Sequence, residues 1–90
     1  MADPIHLKVL TEAGVAIEES AVSIVAPGEL GYLGILKNHA PLVATMGPGK
    51  VTFRDPSGGT QVMQSLGAGL LEVQKNQAVL LLDDVREGAA

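Results

Sequence analysis

Val51-Thr52-Phe53-Arg54-Asp55-Pro56-Ser57-Gly58-Gly59-Thr60-Gln61-Val62-Met63-Gln64-Ser65-Leu66 is the stretch that settles the class of fold. Val51 to Arg54 alternates apolar and polar residues, the period of a half-buried strand. Asp55-Pro56-Ser57-Gly58-Gly59 then supplies turn residues, each with its own reason to bend the chain. Thr60 to Leu66 forms the return strand. This is a β-hairpin, and the same grammar recurs on both sides of it.

Toward the N-terminus, Ile5-His6-Leu7-Lys8-Val9 alternates and reads as a strand. Glu12-Ala13-Gly14 turns the chain into a short second strand, Val15 to Glu18. Val22-Ser23-Ile24 continues the alternation through Ala26, and Pro27-Gly28 stops it. Toward the C-terminus, Gly67-Ala68-Gly69 breaks or bulges the sheet. Leu70 to Gln74 and Gln77 to Leu82 then form a last hairpin around Lys75-Asn76, and a polar tail runs from Asp83 to Ala90. Leu42 to Thr45 is a further short strand, followed by a turn at Gly47-Pro48-Gly49. Helical signal is confined to Ala13 to Glu19, a segment too short and too β-branched to stand alone. Short strands at regular spacing predict an all-β protein, a small flattened sandwich of two mostly antiparallel sheets. Residues 1–86 form the predicted domain, with 87–90 as a short polar tail.

Composition narrows what such a domain does. The chain has 90 residues, a net charge of −4, six basic residues and no cysteine. A sparse, scattered set of Lys and Arg argues against nucleic acid, where binding rests on neutralising phosphates. It also argues against docking on anionic lipid. Mean hydropathy is positive, yet the longest apolar run, Ala78 to Leu82, falls far below the roughly 20 residues of a spanning helix. The start Met1-Ala2-Asp3-Pro4 lacks a basic segment followed by an apolar one, so no secretory signal is expected. The expectation is a soluble chain whose apolar content goes into a core or a protein interface.

Catalytic chemistry finds little support. Ser20, Ser23, Ser57 and Ser65 lie outside any Gly-x-Ser-x-Gly elbow. His6 and His39 are far apart and have no acidic cluster at ligand spacing, so neither a metal nor a cofactor is expected. His39 beside Ala40-Pro41 reads as a structural histidine in a turn. Glu18-Glu19 and Asp83-Asp84 are adjacent pairs, which a strand points to opposite faces. A small enzyme on a β scaffold would need convergent titratable groups in a concave pocket.

The segment from residue 28 to 41 stands apart. Gly28, Gly31 and Gly34 recur every third residue and Pro41 closes the stretch, yet it carries Leu30, Tyr32, Leu33, Ile35 and Leu36. The spacing is not the Gly-x-Gly-x-x-Gly of a dinucleotide loop, and no Walker lysine follows. Leu33 to Leu36 is its expected strand, and the remainder is a candidate contact surface on a rigid scaffold.

Ala26-Pro27-Gly28-Glu29-Leu30-Gly31-Tyr32-Leu33-Gly34-Ile35-Leu36-Lys37-Asn38-His39-Ala40-Pro41-Leu42 resembles the signature of the epsilon subunit of rotary ATP synthases, called delta in mitochondria. Gly67-Ala68-Gly69-Leu70-Leu71-Glu72-Val73 is similar to that family's Gly-Gly-x-Leu-Glu-Val strand. Val79 to Asp83 is similar to the strand that ends its β domain. The likeness covers roughly residues 5 to 86 in the family's order. It implies a non-catalytic central-stalk subunit that couples the gamma shaft to the membrane proteolipid ring in proton- or sodium-driven ATP synthesis. Such a subunit is peripheral on the inner face of an energy-coupling membrane, with the bacterial plasma membrane ahead of the thylakoid and mitochondrial ones. It is a monomer when isolated.

Residue by residue, the resemblance places Thr11, His39 and Leu42 on the face toward gamma. It places Glu29, Leu30, Gly31 and Tyr32 at the tip toward the ring, with Gly28, Gly34 and Pro41 shaping the loop. The family's Glu-Gly-Glu at the tip is replaced by Leu30-Gly31-Tyr32, so the expected ring contact is apolar and aromatic. The family's C-terminal helical hairpin is absent from this sequence, so no helix-mediated inhibition or nucleotide sensing is expected. The alternative is a free-standing β-sandwich binding module unrelated to ATP synthase.

Overall fold

The computed structural model of the chain describes residues 4–87. Ten strands follow one another: β1 (Ile5–Thr11), β2 (Gly14–Ala21), β3 (Ser23–Gly28), β4 (Gly31–Leu36), β5 (Leu42–Met46), β6 (Gly49–Arg54), β7 (Thr60–Ser65), β8 (Gly69–Gln74), β9 (Gln77–Leu82) and β10 (Val85–Glu87). Among the described residues there is no helix. Hydrogen bonding runs in the order β10-β7-β6-β3-β5-β8-β9-β1-β2, with β4 on the side of β3. The two halves of this path touch through a single ladder pair, Gly28 opposite Met46. One half holds β10, β7, β6, β3 and β4, and the other holds β5, β8, β9, β1 and β2. The pairings are antiparallel except that of β1 with β9.

Each half turns one face inward. Ile5, Leu7 and Val9 of β1 are buried, and so are Leu71 and Val73 of β8 and Leu80 of β9. They share one cluster with Ile24 of β3, Ile35 of β4, and Val51 and Phe53 of β6 from the other half. The strict alternation of β1 and β6 is the sequence form of this burial. The chain crosses between the halves at β2/β3, β4/β5, β5/β6, β7/β8 and β9/β10. Neither half has a core without the other. Ser65 is the one buried polar residue described, and its hydroxyl donates to the Gly67 carbonyl at 3.3 Å.

The hairpin at 51–66 is as read. Arg54 pairs with Thr60 and Val51 with Met63. Asp55 organises the turn, because its Oδ1 accepts from the Ser57 and Gly59 amides, both at 3.0 Å, and from the Ser57 hydroxyl at 2.6 Å. The Ser57 hydroxyl and then the Gly59 amide hold the Asp55 carboxyl below its ordinary pKa.

The short second strand expected at Val15 to Glu18 is present and longer, Gly14–Ala21, pairing with β1 along the register Leu7–Glu19 to Thr11–Gly14, so the weak helical signal there comes to nothing. Two expectations need correction. The glycine-rich stretch is a tight hairpin in place of an open loop. Its second strand begins at Gly31, two residues before the expected Leu33, and pairs with β3 as far as Gly28–Gly31. The segment from Asp83 is not wholly a tail, since Val85–Glu87 adds to the edge of β7 through Val85–Ser65 and Glu87–Met63. Gly88 to Ala90 of the expected tail lie outside the described residues.

Candidate functional site

Strands β8 and β9 carry large apolar residues at both parities. Leu71 and Leu80 point into the core, which forces Leu70 and Leu81 outward. Register then lines residues up across the outer face. Val15 pairs with Leu10, Leu10 with Leu81, Leu81 with Leu70, and Leu70 with Thr45. Five strands at about 4.8 Å spacing make this row about 19 Å long. Val15, Leu81 and Leu70 remain 55%, 45% and 38% exposed. The neighbouring row is Glu18–Lys8–Val79–Glu72–Val43, and Val43 at its end is 63% exposed. Charges flank the apolar row without interrupting it.

The ring-facing residues of the sequence reading fall at the tip of the β3–β4 hairpin. Glu29 is tied to β5 twice: its amide donates to the Thr45 carbonyl at 3.0 Å, and its carboxylate accepts from the Thr45 hydroxyl. Leu30 is wholly exposed. Gly31 has φ 137°, which favours glycine. The Tyr32 hydroxyl accepts from the Lys50 amide at 3.2 Å, tying the hairpin to β6. At Gly28 a Cβ would lie 2.6 Å from the Gly31 carbonyl oxygen. Gly34 has open space around it and no left-handed backbone, so nothing in the structure requires glycine there. Pro41 is exposed just before β5.

Thr11, His39 and Leu42, which the sequence reading places toward the shaft, are not gathered at one spot. Thr11 ends β1, where its hydroxyl accepts from the Ala13 amide at 3.2 Å. His39 sits in the β4–β5 connection; its amide donates to the Leu36 carbonyl at 3.1 Å, and its Nδ1 lies 2.7 Å from the Ala40 carbonyl. The neighbouring Asn38 touches Asn76, whose carbonyl accepts from the His6 amide at the start of β1. Thr11 and the His39 segment therefore occupy opposite ends of the same half, about 17 Å apart along β1. Leu42 packs its side chain against the core, and Val43 is the outward residue of that strand. Sequence reasoning missed Leu10, Leu70 and Leu81. The doublet Leu70-Leu71 and the run Leu80-Leu81-Leu82 break two-residue alternation, the sign of strands covered on both faces.

The concavities on the molecule are shallow. One of about 590 Å³ lies along the open seam between β2 and β7, lined by Ile17, Glu19, Phe53, Met63, Val85 and Arg86. No nucleophile with a base beside it lines it. No group of three or more metal-ligating side chains comes together among the described residues, and no helix there is long and apolar enough to cross a membrane.

The sequence model of the family described as "ATP synthase, Delta/Epsilon chain, beta-sandwich domain" matches residues 4–88. An ATP synthase epsilon chain of Dichelobacter nodosus is 37% identical over 99% of this chain and 62% of its own length. One of Moorella thermoacetica is 34% identical over 88% of this chain and 58% of its own. The chain thus spans about three-fifths of the length of these relatives. A chain in the Euglena gracilis mitochondrial ATP synthase (OSCP/F1/c-ring) superposes with a TM-score of 0.88 at 16% identity, covering 97% of this chain and 55% of that one. A chain in the central stalk/c-ring structure of the Tetrahymena thermophila mitochondrial enzyme gives 0.79 at 14% identity, over 96% and 68%. At these identities the structural likeness speaks for the fold.

Proposed function

This chain belongs to the delta/epsilon β-sandwich family of ATP synthase, and on that premise we propose that it is a non-catalytic central-stalk subunit that fastens the gamma shaft to the proteolipid ring. The observation that carries this reading is the apolar row Val15–Leu10–Leu81–Leu70 on the outer face of one half. A permanent interface resembles a core cut in half, and an outward row of leucines is half of such a core. Transmission of torque also needs a stiff body. Two interleaved halves over one core supply it, because bending either half breaks the packing of both.

In this reading gamma covers the outer face, with Thr11 at one end and His39 at the other. Leu42 supports the face from beneath, and Val43 joins it. The hairpin tip at Glu29 to Tyr32 meets the ring. Leu30 is its projecting residue, so the contact is apolar. The chain works on the inner face of an energy-coupling membrane, bacterial, thylakoid or mitochondrial, with protons or sodium as the coupling ion. The isolated chain is a monomer that acquires its partners on assembly.

The test is titration of the gamma subunit from the same source into this chain, followed calorimetrically. Leu81→Glu weakens association by at least about a hundredfold, since a charge at the centre of a dry interface loses its hydration. Thr52→Glu, on the outer face of the other half, leaves it unchanged. Equal binding by both variants would move the contact elsewhere. Failure of the native chain to bind gamma would favour a free-standing binding module.

A further inference from the structure

Two asparagines 38 residues apart in sequence hold each other at the His39 end of the molecule. Asn38 lies in the β4–β5 connection with φ 63°, and Asn76 in the β8–β9 turn with φ 58°. Asparagine tolerates this left-handed conformation better than most residues. The Asn38 amide donates to Asn76 Oδ1 at 2.7 Å. Asn76 Nδ2 donates to Asn38 Oδ1 at 3.3 Å. The Asn76 carbonyl accepts from the His6 amide at 2.9 Å, which anchors the turn to β1. The hydrogen bonds of His39, to Leu36 and Ala40, are local. Besides the start of β5, which pairs with β8 from Leu42, the Asn76 side chain ties this connection to the sheet carrying the apolar row.

We propose that Asn76 is a positioning residue for the shaft-facing segment, fixing the β4–β5 connection so that His39 is presented to gamma already ordered. The proposal rests on the reading of His39 as a gamma contact. A connection ordered before binding loses less conformational freedom on binding, so the clasp raises affinity without touching the partner.

The experiment uses three variants. Asn76→Gly keeps the left-handed turn and removes both side-chain hydrogen bonds. Asn76→Asp keeps an acceptor for the Asn38 amide, and Asn38 can rotate its own amide to donate to it. Asn38→Gly removes the partner side chain. Amide hydrogen exchange at Asn38 reads the clasp directly, without any partner. Asn76→Gly speeds that exchange about five- to tenfold and weakens gamma association by a similar factor, while the chain stays folded by circular dichroism. Asn76→Asp restores most of both. Asn38→Gly keeps the backbone amide that donates to Asn76 and so weakens association less than Asn76→Gly, and the pair is no weaker than Asn76→Gly alone, because that change already removes both bonds. Unchanged exchange at Asn38 in Asn76→Gly overturns the clasp. Faster exchange with undiminished gamma affinity overturns the positioning role. In that case His39→Glu tells the two readings apart: if it still weakens association, His39 remains a gamma contact, and if it does not, the face assignment falls as well.

Discussion

The two halves of the sandwich have equal claims on the core and arrange their outward residues differently. In the half made of β3, β4, β6, β7 and β10, the outward positions of β6 are Lys50, Thr52 and Arg54, opposite Gln64, Val62 and Thr60 of β7. Lys50, Arg54 and the β10 residue Arg86 make up half of the chain's six basic residues. In the half made of β1, β2, β5, β8 and β9, the outward row is Val15, Leu10, Leu81 and Leu70. Water is a good partner for these β6 and β7 positions, although the same half exposes Val25, Tyr32 and Leu36 on β3 and β4, and it is a poor partner for the unbroken apolar row of the second half. The lesson is that a sandwich needs apolar residues at one parity only. Apolar residues at both parities in β8 and β9 therefore exceed what folding requires, and the excess points to a partner.

The sharpest test of that comparison uses neighbours in one strand. Leu71→Ala, inside, lowers stability by about 2–5 kcal/mol in urea denaturation, whereas Leu70→Ala, outside, changes it by less than about 1 kcal/mol. The order reverses for gamma association, which Leu70→Ala weakens. Similar stability losses for both would show that Leu70 belongs to the core and would remove the argument from parity.

The β3–β4 hairpin of the first half offers a second contrast. Gly28→Ala places a methyl against the Gly31 carbonyl oxygen, at 2.6 Å before relaxation, and costs about 1–3 kcal/mol. Gly34→Ala, three residues into β4 with open space around it, is neutral or slightly stabilising, because alanine restricts the unfolded chain more. Thermal unfolding of the two variants measures the difference. A smaller effect is expected at Thr45→Val, which removes the hydroxyl that holds Glu29 and lowers stability by about 1 kcal/mol. Ring binding by Leu30→Ala falls at all salt concentrations. A steep salt dependence of the native chain's ring binding would instead assign the contact to charge.

The smallest effect concerns Asp55, at the far turn of the polar half. Its folded pKa lies below the ordinary carboxylate value because the Ser57 hydroxyl, and then the Gly59 amide, favour the ionised form. A depressed folded pKa stabilises the fold above the unfolded value, about pH 4, and that contribution fades as pH falls through the folded value. Asp55→Asn should lower the neutral plateau of a melting-temperature profile slightly and flatten its acid limb. An unchanged acid limb would mean that the turn is indifferent to this charge.

The strands of this protein were legible because their causes are local. Alternation at Ile5 to Val9 and Val51 to Arg54 marks burial one residue at a time. Asp55 to Gly59 and Lys75-Asn76 bend the chain wherever they occur, and the latter pair is left-handed as a two-residue hairpin turn demands. The hairpin at Gly28–Gly31 was read as a loop because glycine spacing signals bending without telling a tight turn from an open one. The candidate face was half legible. His39 and the tip could be named from a motif, whereas Leu70 and Leu81 needed strand parity counted against a known interior.

By itself the sequence determined the all-β class, the turns and most strand boundaries, since each depends on a few adjacent residues. Only the tertiary structure decided the rest: that β1 pairs in parallel with β9, that Val85–Glu87 extends the edge of β7, that Leu42 turns inward and Val43 outward, and that Asn38 meets Asn76. Those outcomes join residues distant along the chain. Their partners are chosen by which faces must be buried together, and no local pattern carries that choice.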